Sequence, residues 1–212
     1  MFFINQLLKL CLTLFISSAT FQFAHAQSTN NKTILVIGDS LSAEYGIERG
    51  KGWVEIIKSD FLGDDDNYEI INASISGDTT SGGLSRLPAL LTRHNPAVVI
   101  VELGANDALR GLSLADSTNN LEKMSELSKQ AQAKVVIVGM QIPPNFGPVY
   151  SQQFKDMFAQ VAQKQKALLV PFLFENFALD KSMYQDDGIH PNESAQKTMA
   201  ENVWSILKQA IN

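Results

Sequence analysis

The sequence predicts one α/β domain with a five-stranded parallel sheet and helices on both faces. Five apolar runs rich in Val, Ile or Leu are too short for helices and are typical of buried strands. They cover residues 33–37, 68–71, 97–103, 134–140 and 167–172. Longer stretches with helical spacing separate them, and this alternation favours parallel strands joined by helical crossovers. We therefore expect a three-layer α/β/α sandwich.

Four helices are predicted between the strands, and a fifth closes the chain. The first four cover residues 53–62, 84–93, 118–132 and 154–166. The last follows Pro191, where apolar residues recur at helical spacing on one face. These residues are Ala195, Met199, Val203, Ile206, Leu207 and Ala210. Because no repeat, charge block or Gly/Ser linker divides the chain after Asn31, we expect a single domain.

Composition excludes several classes of partner. The 212 residues carry a net charge of -5, and no cluster of Lys or Arg occurs anywhere in the chain. Nucleic acids and anionic membranes are bound through such clusters. We therefore expect neither of them as a partner.

The amino terminus has the features of a cleavable secretory signal. Lys9 precedes an apolar run at 10–19, and the small-x-small pattern 24–26 comes before polar Gln27. The alternative is a membrane anchor, but the run is short for the roughly 20 residues that a bilayer core requires. We predict removal of residues 1–26, a mature domain at 27–212, and a periplasmic or secreted protein. The only cysteine, Cys11, would be lost with the signal, which excludes disulfides and thiol chemistry.

Polar residues follow most of the predicted strands, at the edge where parallel sheets bind ligands. They form the segments 38–42, 72–78, 104–107 and 186–191. Taken singly, each has an ordinary explanation as turn or helix-capping chemistry. Together they bring a serine hydroxyl, a glycine amide, an asparagine carboxamide and an Asp-x-x-His pair to one edge. Those are the parts that an acyl-transfer site requires.

Only two histidines remain after signal removal, and they differ in position. His94 ends a predicted helix before the third strand, at the amino edge of the sheet, where we expect it to cap the helix. His190 lies at the carboxyl edge, three residues after Asp187. One tight turn would let that carboxylate hold the imidazole in the tautomer able to take a proton from serine. His190 is therefore the candidate base.

From about Thr33 to its end, the chain resembles the SGNH (GDSL) hydrolase family, which has a flavodoxin-like fold. Four family blocks occur in order: GDSLS at 38–42, NASISGDT at 72–79, GAND at 104–107 and DDGIHP at 186–191. The resemblance is strongest to the bacterial periplasmic members described as acyl-CoA thioesterase, lysophospholipase and arylesterase. It implies hydrolysis of fatty-acyl esters and thioesters by a monomer with no metal or organic cofactor.

The resemblance also implies a role for each site residue. Ser40 would be the nucleophile, His190 the general base and Asp187 its orienting partner. The oxyanion hole would comprise the backbone N–H groups of Ser40 and Gly77 and the side-chain amide of Asn106. A carboxamide suits this task because it supplies a donor where an ionised aspartate would repel the developing charge.

Two departures from the family bear on substrate preference. Members often have Gly where this chain has Glu44, beside the nucleophile, and where it has Ala108, after Asn106. Alanine has less backbone freedom than glycine, so we expect the loop 108–112 to close over substrate less readily.

Apolar residues after the third and fourth strands are candidates for an acyl groove. They are Leu109, Leu112, Ile142, Pro143, Pro144, Phe146 and Tyr150. For each one, covering the core is the competing explanation.

Two other functions share the fold. A binding module, or an inactive family member, would keep the loops but lack nucleophile or base, and here both are present. An esterase for acetylated sugars would keep the chemistry and change the substrate. The apolar loops favour lipid-like acyl chains over sugars.

Overall fold

The computed structural model describes residues 32–63 and 67–211, which form a sheet of five parallel strands in the order β2-β1-β3-β4-β5. The strands are β1 (Lys32–Gly38), β2 (Tyr68–Asn72), β3 (Val98–Glu102), β4 (Lys134–Val138) and β5 (Leu168–Val170). The three central strands are almost entirely buried, as expected for a sheet covered on both faces. The predicted parallel sheet is confirmed. The predicted signal at 1–26 lies outside the described residues.

Helices cover both faces of the sheet. They are α1 (Trp53–Ile56), α2 (Thr80–His94), α3 (Ala105–Leu109), α4 (Leu114–Gln130), α5 (Pro148–Gln165) and α6 (Glu193–Ile211). Neighbouring helices α2, α4 and α5 pack together in one layer, and α1 packs against α6 in the other. The three-layer sandwich is thus confirmed. Among the described residues, no helix is both long and apolar enough to cross a membrane.

The helices between the strands differ from the prediction in type or extent. Helices α4 and α5 begin four and six residues before the predicted starts at 118 and 154. The predicted helix at 53–62 is a short α-helix that continues as a π-helix over Ile57–Leu62. Helix α2 begins four residues before the predicted start at 84, because the Thr79 side chain accepts a hydrogen bond from the Gly82 N–H at 3.2 Å. Gly83 is required there by packing, since a Cβ on it would lie 2.3 Å from Leu103 Cδ1. Gly83, which weakens the helical pattern, therefore allows α2 to pack closely against Leu103, the residue after β3.

Helix α3 was not predicted from the sequence. It comprises only five residues, directly after β3 and the left-handed-region residue Gly104 (φ 123°). This short helix places Asn106 at the carboxyl edge of the central strand. The segments after β1 and β2 reach the same edge, since the strands are parallel.

Candidate active site

The segment after β1 turns sharply around a buried aspartate. Asp39 is 1% exposed, and its Oδ1 accepts the N–H of Leu41 at 3.0 Å. Gly38 precedes it because a Cβ there would lie 2.7 Å from Ser42 Oγ and 2.8 Å from Glu102 Oε2. Glycine is therefore required at position 38 because the Ser42 and Glu102 side chains lie so close to its Cα, and not because of its backbone angles. The turn leaves Ser40 half-buried at the sheet edge.

Ser40, His190 and Asp187 form a continuous hydrogen-bonded chain. His190 Nε2 lies 3.0 Å from Ser40 Oγ, and His190 Nδ1 lies 2.6 Å from Asp187 Oδ2. The first contact joins residues 150 positions apart in sequence. A serine paired in this way with an imidazole, which is itself held by a carboxylate, has the arrangement of an activated nucleophile.

Asp187 is fixed by its own turn. Its Oδ1 accepts the backbone N–H groups of Ile189 at 2.8 Å and His190 at 2.9 Å. Desolvation raises the pKa of this carboxyl, but the hydrogen bonds from the backbone and ring of His190 and from Ile189 outweigh it and lower the pKa to about 2. The carboxylate is therefore ionised at neutral pH. It can hold Nδ1 protonated and leave Nε2 free to accept a proton.

Three hydrogen-bond donors at this edge are available to a ligand. The backbone N–H groups of Ser40 and Gly77 have no acceptor among residues 32–63 and 67–211. Asn106 Nδ2 donates to Asp39 Oδ2 at 2.9 Å, and its second amide hydrogen has no partner within that same part of the chain. Such donors can stabilise negative charge on a carbonyl oxygen.

The loop that carries Gly77 is anchored by two arginines that sequence reasoning did not single out. Arg110 Nη2 donates to the Gly77 carbonyl at 2.7 Å. Arg86 donates to the carbonyl of Ala73 and pairs with Asp78 at 2.8 Å. The Gly77 peptide, whose φ of 78° suits glycine, is thus held from two sides.

Two buried acids lie beneath Ser40. Glu102 Oε2 accepts the Ser42 hydroxyl at 2.7 Å and the Asp39 N–H at 3.3 Å. Burial raises the pKa of Asp39 to about 6, against the lowering effect of its bonds from Leu41 and Asn106. Burial, together with the charge of Asp39, raises the pKa of Glu102 well above its ordinary value. Loss of a proton is therefore less favourable for both acids than it is in water.

An aromatic side chain lies beside the imidazole. The Tyr45 ring centroid is 4.5 Å from that of His190, and Tyr45 is 52% exposed. Gln185 Nε2 donates to the carbonyls of Tyr45 at 2.9 Å and Pro191 at 3.0 Å, which connects the loop after Ser40 to the loop that carries His190. A small cleft lies at this junction, and Leu41, Glu44, Tyr45, Ile47, Pro191 and Gln196 line it with Ser40 and His190. Tyr45 had no motif to identify it from sequence.

The candidate acyl-groove residues fall into two groups. Leu109, Leu112, Pro143 and Phe146 are exposed, and Pro144 begins a 3₁₀ turn at Pro144–Phe146. Ile142 is 8% exposed and packs in the core, which accounts for its apolar character without a ligand. The Tyr150 hydroxyl bonds to the carbonyls of Ala108 and Leu112 at 3.4 and 3.3 Å. None of these residues is among those that line the cleft beside Tyr45.

The second histidine lies away from this site. His94 is the last residue of α2, before β3, and so stands at the amino edge of the sheet. Among the residues described, no cluster of three or more His, Cys, Asp or Glu side chains could hold a metal ion.

Comparison with known proteins identifies the class. Residues 36–198 match the model of the GDSL-like Lipase/Acylhydrolase family, and the chain belongs to that family of ester hydrolases. It is 44% identical to "Esterase TesA" of Pseudomonas aeruginosa, over 86% of this chain and 90% of the relative. It is 36% identical to "Thioesterase 1/protease 1/lysophospholipase L1" of Escherichia coli (strain K12), over 94% of this chain and 92% of the relative.

A solved structure supports the same assignment. The psychrotrophic esterase EstA from Pseudoalteromonas sp., in a form inhibited by monoethylphosphonate, superposes with a TM-score of 0.81. The two sequences are 37% identical, and the match covers 86% of this chain and all of the other.

Proposed function

We propose that the protein hydrolyses esters and thioesters of fatty acids through an acyl-serine intermediate on Ser40. The observation that carries the proposal is the hydrogen-bonded chain from Ser40 Oγ through His190 to Asp187. The name of the thioesterase and lysophospholipase relative, and the family of the chain, support both types of bond.

In the first half-reaction, Ser40 Oγ attacks the acyl carbonyl carbon while His190 Nε2 accepts the hydroxyl proton. The bond from that carbon to the leaving oxygen or sulfur then breaks, and His190 returns the proton to the leaving group. In the second half, His190 takes a proton from water, and the resulting hydroxide attacks the acyl-serine ester. Fatty acid leaves, and the proton returns to Ser40 Oγ.

During both halves, negative charge develops on the carbonyl oxygen. The donors proposed to stabilise it are the backbone N–H groups of Ser40 and Gly77 and the free amide hydrogen of Asn106. Donors fixed in advance act more strongly on this charge than water does, because they need no reorganisation as it forms.

Exposed apolar side chains support a fatty-acyl substrate. The large exposed hydrophobic residues of the described part of the chain all lie in segments that follow a strand in sequence or in the helix that comes next. They are Tyr45, Ile75, Leu109, Leu112, Phe146, Val149, Leu179 and Ile189. Exposed apolar side chains grouped in the segments that follow strands are suited to bind an apolar ligand. We propose that Leu109, Leu112, Pro143 and Phe146 contact the acyl chain.

We also propose that the enzyme acts outside the cytoplasm. Removal of the amino-terminal segment after Ala26 would release a domain that begins at Gln27. Expression of the full chain in a Gram-negative host, followed by mass measurement of the periplasmic form, tests this directly. A periplasmic protein that begins at Gln27 is the expected result, whereas an uncleaved cytoplasmic protein would contradict the proposal.

The experiment that tests the function is hydrolysis of p-nitrophenyl esters from acetate to palmitate by the mature protein. An acyl-CoA series of the same chain lengths tests the thioester part. Rates that rise from acetate to medium or long chains would support a fatty-acyl substrate. A preference for acetate together with release of acetate from acetylated sugars would favour a carbohydrate esterase. No hydrolysis of any ester or thioester in the two series would contradict the proposal.

A further inference from the structure

Asp39 connects the proposed nucleophile to the proposed oxyanion hole. Its Oδ1 accepts the N–H of Leu41, the residue after Ser40, at 3.0 Å. Its Oδ2 accepts one amide hydrogen of Asn106 at 2.9 Å, although the two residues are 67 positions apart. One carboxylate therefore holds the Ser40 turn and the α3 side chain in a fixed relation.

The Asn106 contact determines which end of the carboxamide faces outward. A primary amide carries two hydrogens on nitrogen and none on oxygen. Because Asp39 accepts only hydrogen bonds when it is ionised, it selects the orientation in which nitrogen lies beside it. The second hydrogen then remains free to donate. With the carboxamide turned by half a rotation, an oxygen would take the place of that donor and would repel a developing oxyanion.

Burial of the Asp39 carboxylate is unfavourable for folding, so folding alone does not explain why an aspartate occupies this position. The side chain is 1% exposed and lies beside a second buried acid, Glu102. Burial of a carboxylate is unfavourable unless its oxygens are satisfied, and the two acids also disfavour each other's ionisation. An apolar or neutral residue at this position would lower the stability of the fold less than a buried carboxylate does.

From these contacts we infer that Asp39 is a positioning residue that orients the Asn106 carboxamide for transition-state stabilisation. The inference rests on the proposed function, in which Asn106 stabilises the oxyanion. Asp39 itself touches no substrate atom in this account and acts through Asn106.

A double-mutant cycle tests the inference. In Asp39→Asn, the new side-chain oxygen is expected to stay on the Leu41 N–H, which is fixed in the backbone. Its NH₂ group then faces Asn106, whose carboxamide can rotate and present oxygen to the substrate. We expect kcat for a p-nitrophenyl ester to fall on the order of 100-fold, with KM changed less than about threefold. Asp39→Ala, which removes the acceptor, should lose kcat to a similar degree.

The decisive readout is whether these losses depend on Asn106. Asn106→Ala alone should lower kcat on the order of 100-fold, and adding Asp39→Asn to it should change kcat less than about threefold. Losses that multiply would overturn the inference, since Asp39 would then act through the Ser40 turn. Normal kcat in both Asp39 variants would overturn it as well. Normal kcat in Asn106→Ala would instead remove Asn106 from the proposed function, and the inference would fall with it.

Asp107 offers a matched control. It is also a buried aspartate and lies next to Asn106, but its carboxylate accepts from Thr80 and from Ser117. We expect Asp107→Asn to lower the melting temperature and to leave kcat of the folded enzyme within about threefold of normal. Any loss that it does cause should multiply with that of Asn106→Ala.

Discussion

His190 makes every proton transfer in the proposed reaction, and its surroundings suit that task. Asp187 holds one ring nitrogen at 2.6 Å, and Ser40 Oγ lies 3.0 Å from the other. The Asp-x-x-His spacing predicts this turn, because three residues are enough for a carboxylate to reach the ring that follows it. Asp39 could not be predicted in the same way, since its bond to Asn106 joins segments whose distance in space depends on the folded sheet.

Substitution of each of the two histidines tests which of them is the base. We expect His190→Ala to reduce kcat to nearly the level of Ser40→Ala, because residues that act as one unit fail together. His94→Ala should keep near-normal turnover, since His94 ends α2 at the opposite edge of the sheet. Steady-state hydrolysis of a p-nitrophenyl ester by the two purified variants measures both. The reverse pattern would show that the base is His94.

The neighbouring aspartates Asp186 and Asp187 provide a second test. Asp187→Asn removes a carboxylate whose pKa is lowered to about 2. That carboxylate is therefore charged at neutral pH, where it orients the His190 imidazole. We expect kcat to fall by at least about 100-fold with little loss of stability. Asp186→Asn, a matched change at the adjacent exposed residue, should reduce kcat far less. Equal losses in the two variants would mean that both carboxylates act on His190.

At the scale of elements, the regular pattern of the chain predicts the strands and long helices well. Short elements are harder to predict because few residues specify them. Helix α3, with five residues, was not predicted, and the strand predicted at 167–172 is shorter, since β5 ends before Pro171, which has no N–H to donate to a neighbouring strand. The polar segments after the strands were predictable as one site, because parallel strands end at a common edge. Contacts such as those of Tyr45 and Arg110 depend on how loops from different strands meet.

Glu44 lies in the loop after Ser40, where the family resemblance leads us to expect glycine, and its backbone has a conformation that glycine favours. Glu44 has a φ of 58°, in the left-handed region where glycine is favoured. Its Oε1 accepts the N–H groups of Gly50 at 2.9 Å and Gly52 at 2.8 Å, which offsets that backbone cost. By contrast, Ala108 lies within α3, where an alanine is well accommodated.

This arrangement predicts an order of stabilities. Glu44→Gln keeps an oxygen acceptor and should lie closest to the wild type. Glu44→Ala loses the two hydrogen bonds but keeps the left-handed backbone, so it should be less stable than Glu44→Gly by about 1 kcal/mol. Urea unfolding of the three variants gives the free energies, with Glu48→Ala in the same loop as the control. An alanine variant as stable as the glycine variant would refute the backbone argument.

For the stability of the whole molecule, the buried Asp39 carboxylate is unfavourable, although the proposed activity requires it. Burial raises the pKa of Asp39 from 3.8 to about 6, with Glu102, Asp78 and His190 as the neighbouring titratable groups. The folded state therefore binds a proton more tightly than the unfolded chain. Consequently, the Asp39 carboxyl favours folding most at low pH, and this contribution is lost as pH rises from about 4 to about 6.

A stability measurement tests this sign. The side chain in Asp39→Asn does not titrate, so its free energy of unfolding relative to the wild type should increase with pH, by up to about 3 kcal/mol between pH 4 and pH 7. Urea unfolding of both proteins at these two pH values measures the change. A difference that is constant or that decreases with pH would show that Asp39 is not a costly buried carboxylate. We therefore expect Asp39→Asn to be less active than the wild type. Its stability relative to the wild type should be greater at pH 7 than at pH 4.

The proposed reaction requires Ser40 to carry the acyl group, and the Ser40→Ala variant tests this requirement. The wild type, treated with a p-nitrophenyl phosphonate, should gain one phosphonyl group on Ser40, as seen by mass spectrometry of peptides, and should lose ester hydrolysis in parallel. Ser40→Ala should keep the wild-type circular dichroism spectrum, take up no phosphonyl group and lose nearly all turnover. Retention of most of the turnover by folded Ser40→Ala, or labelling at another residue that accounts for inhibition, would contradict the account.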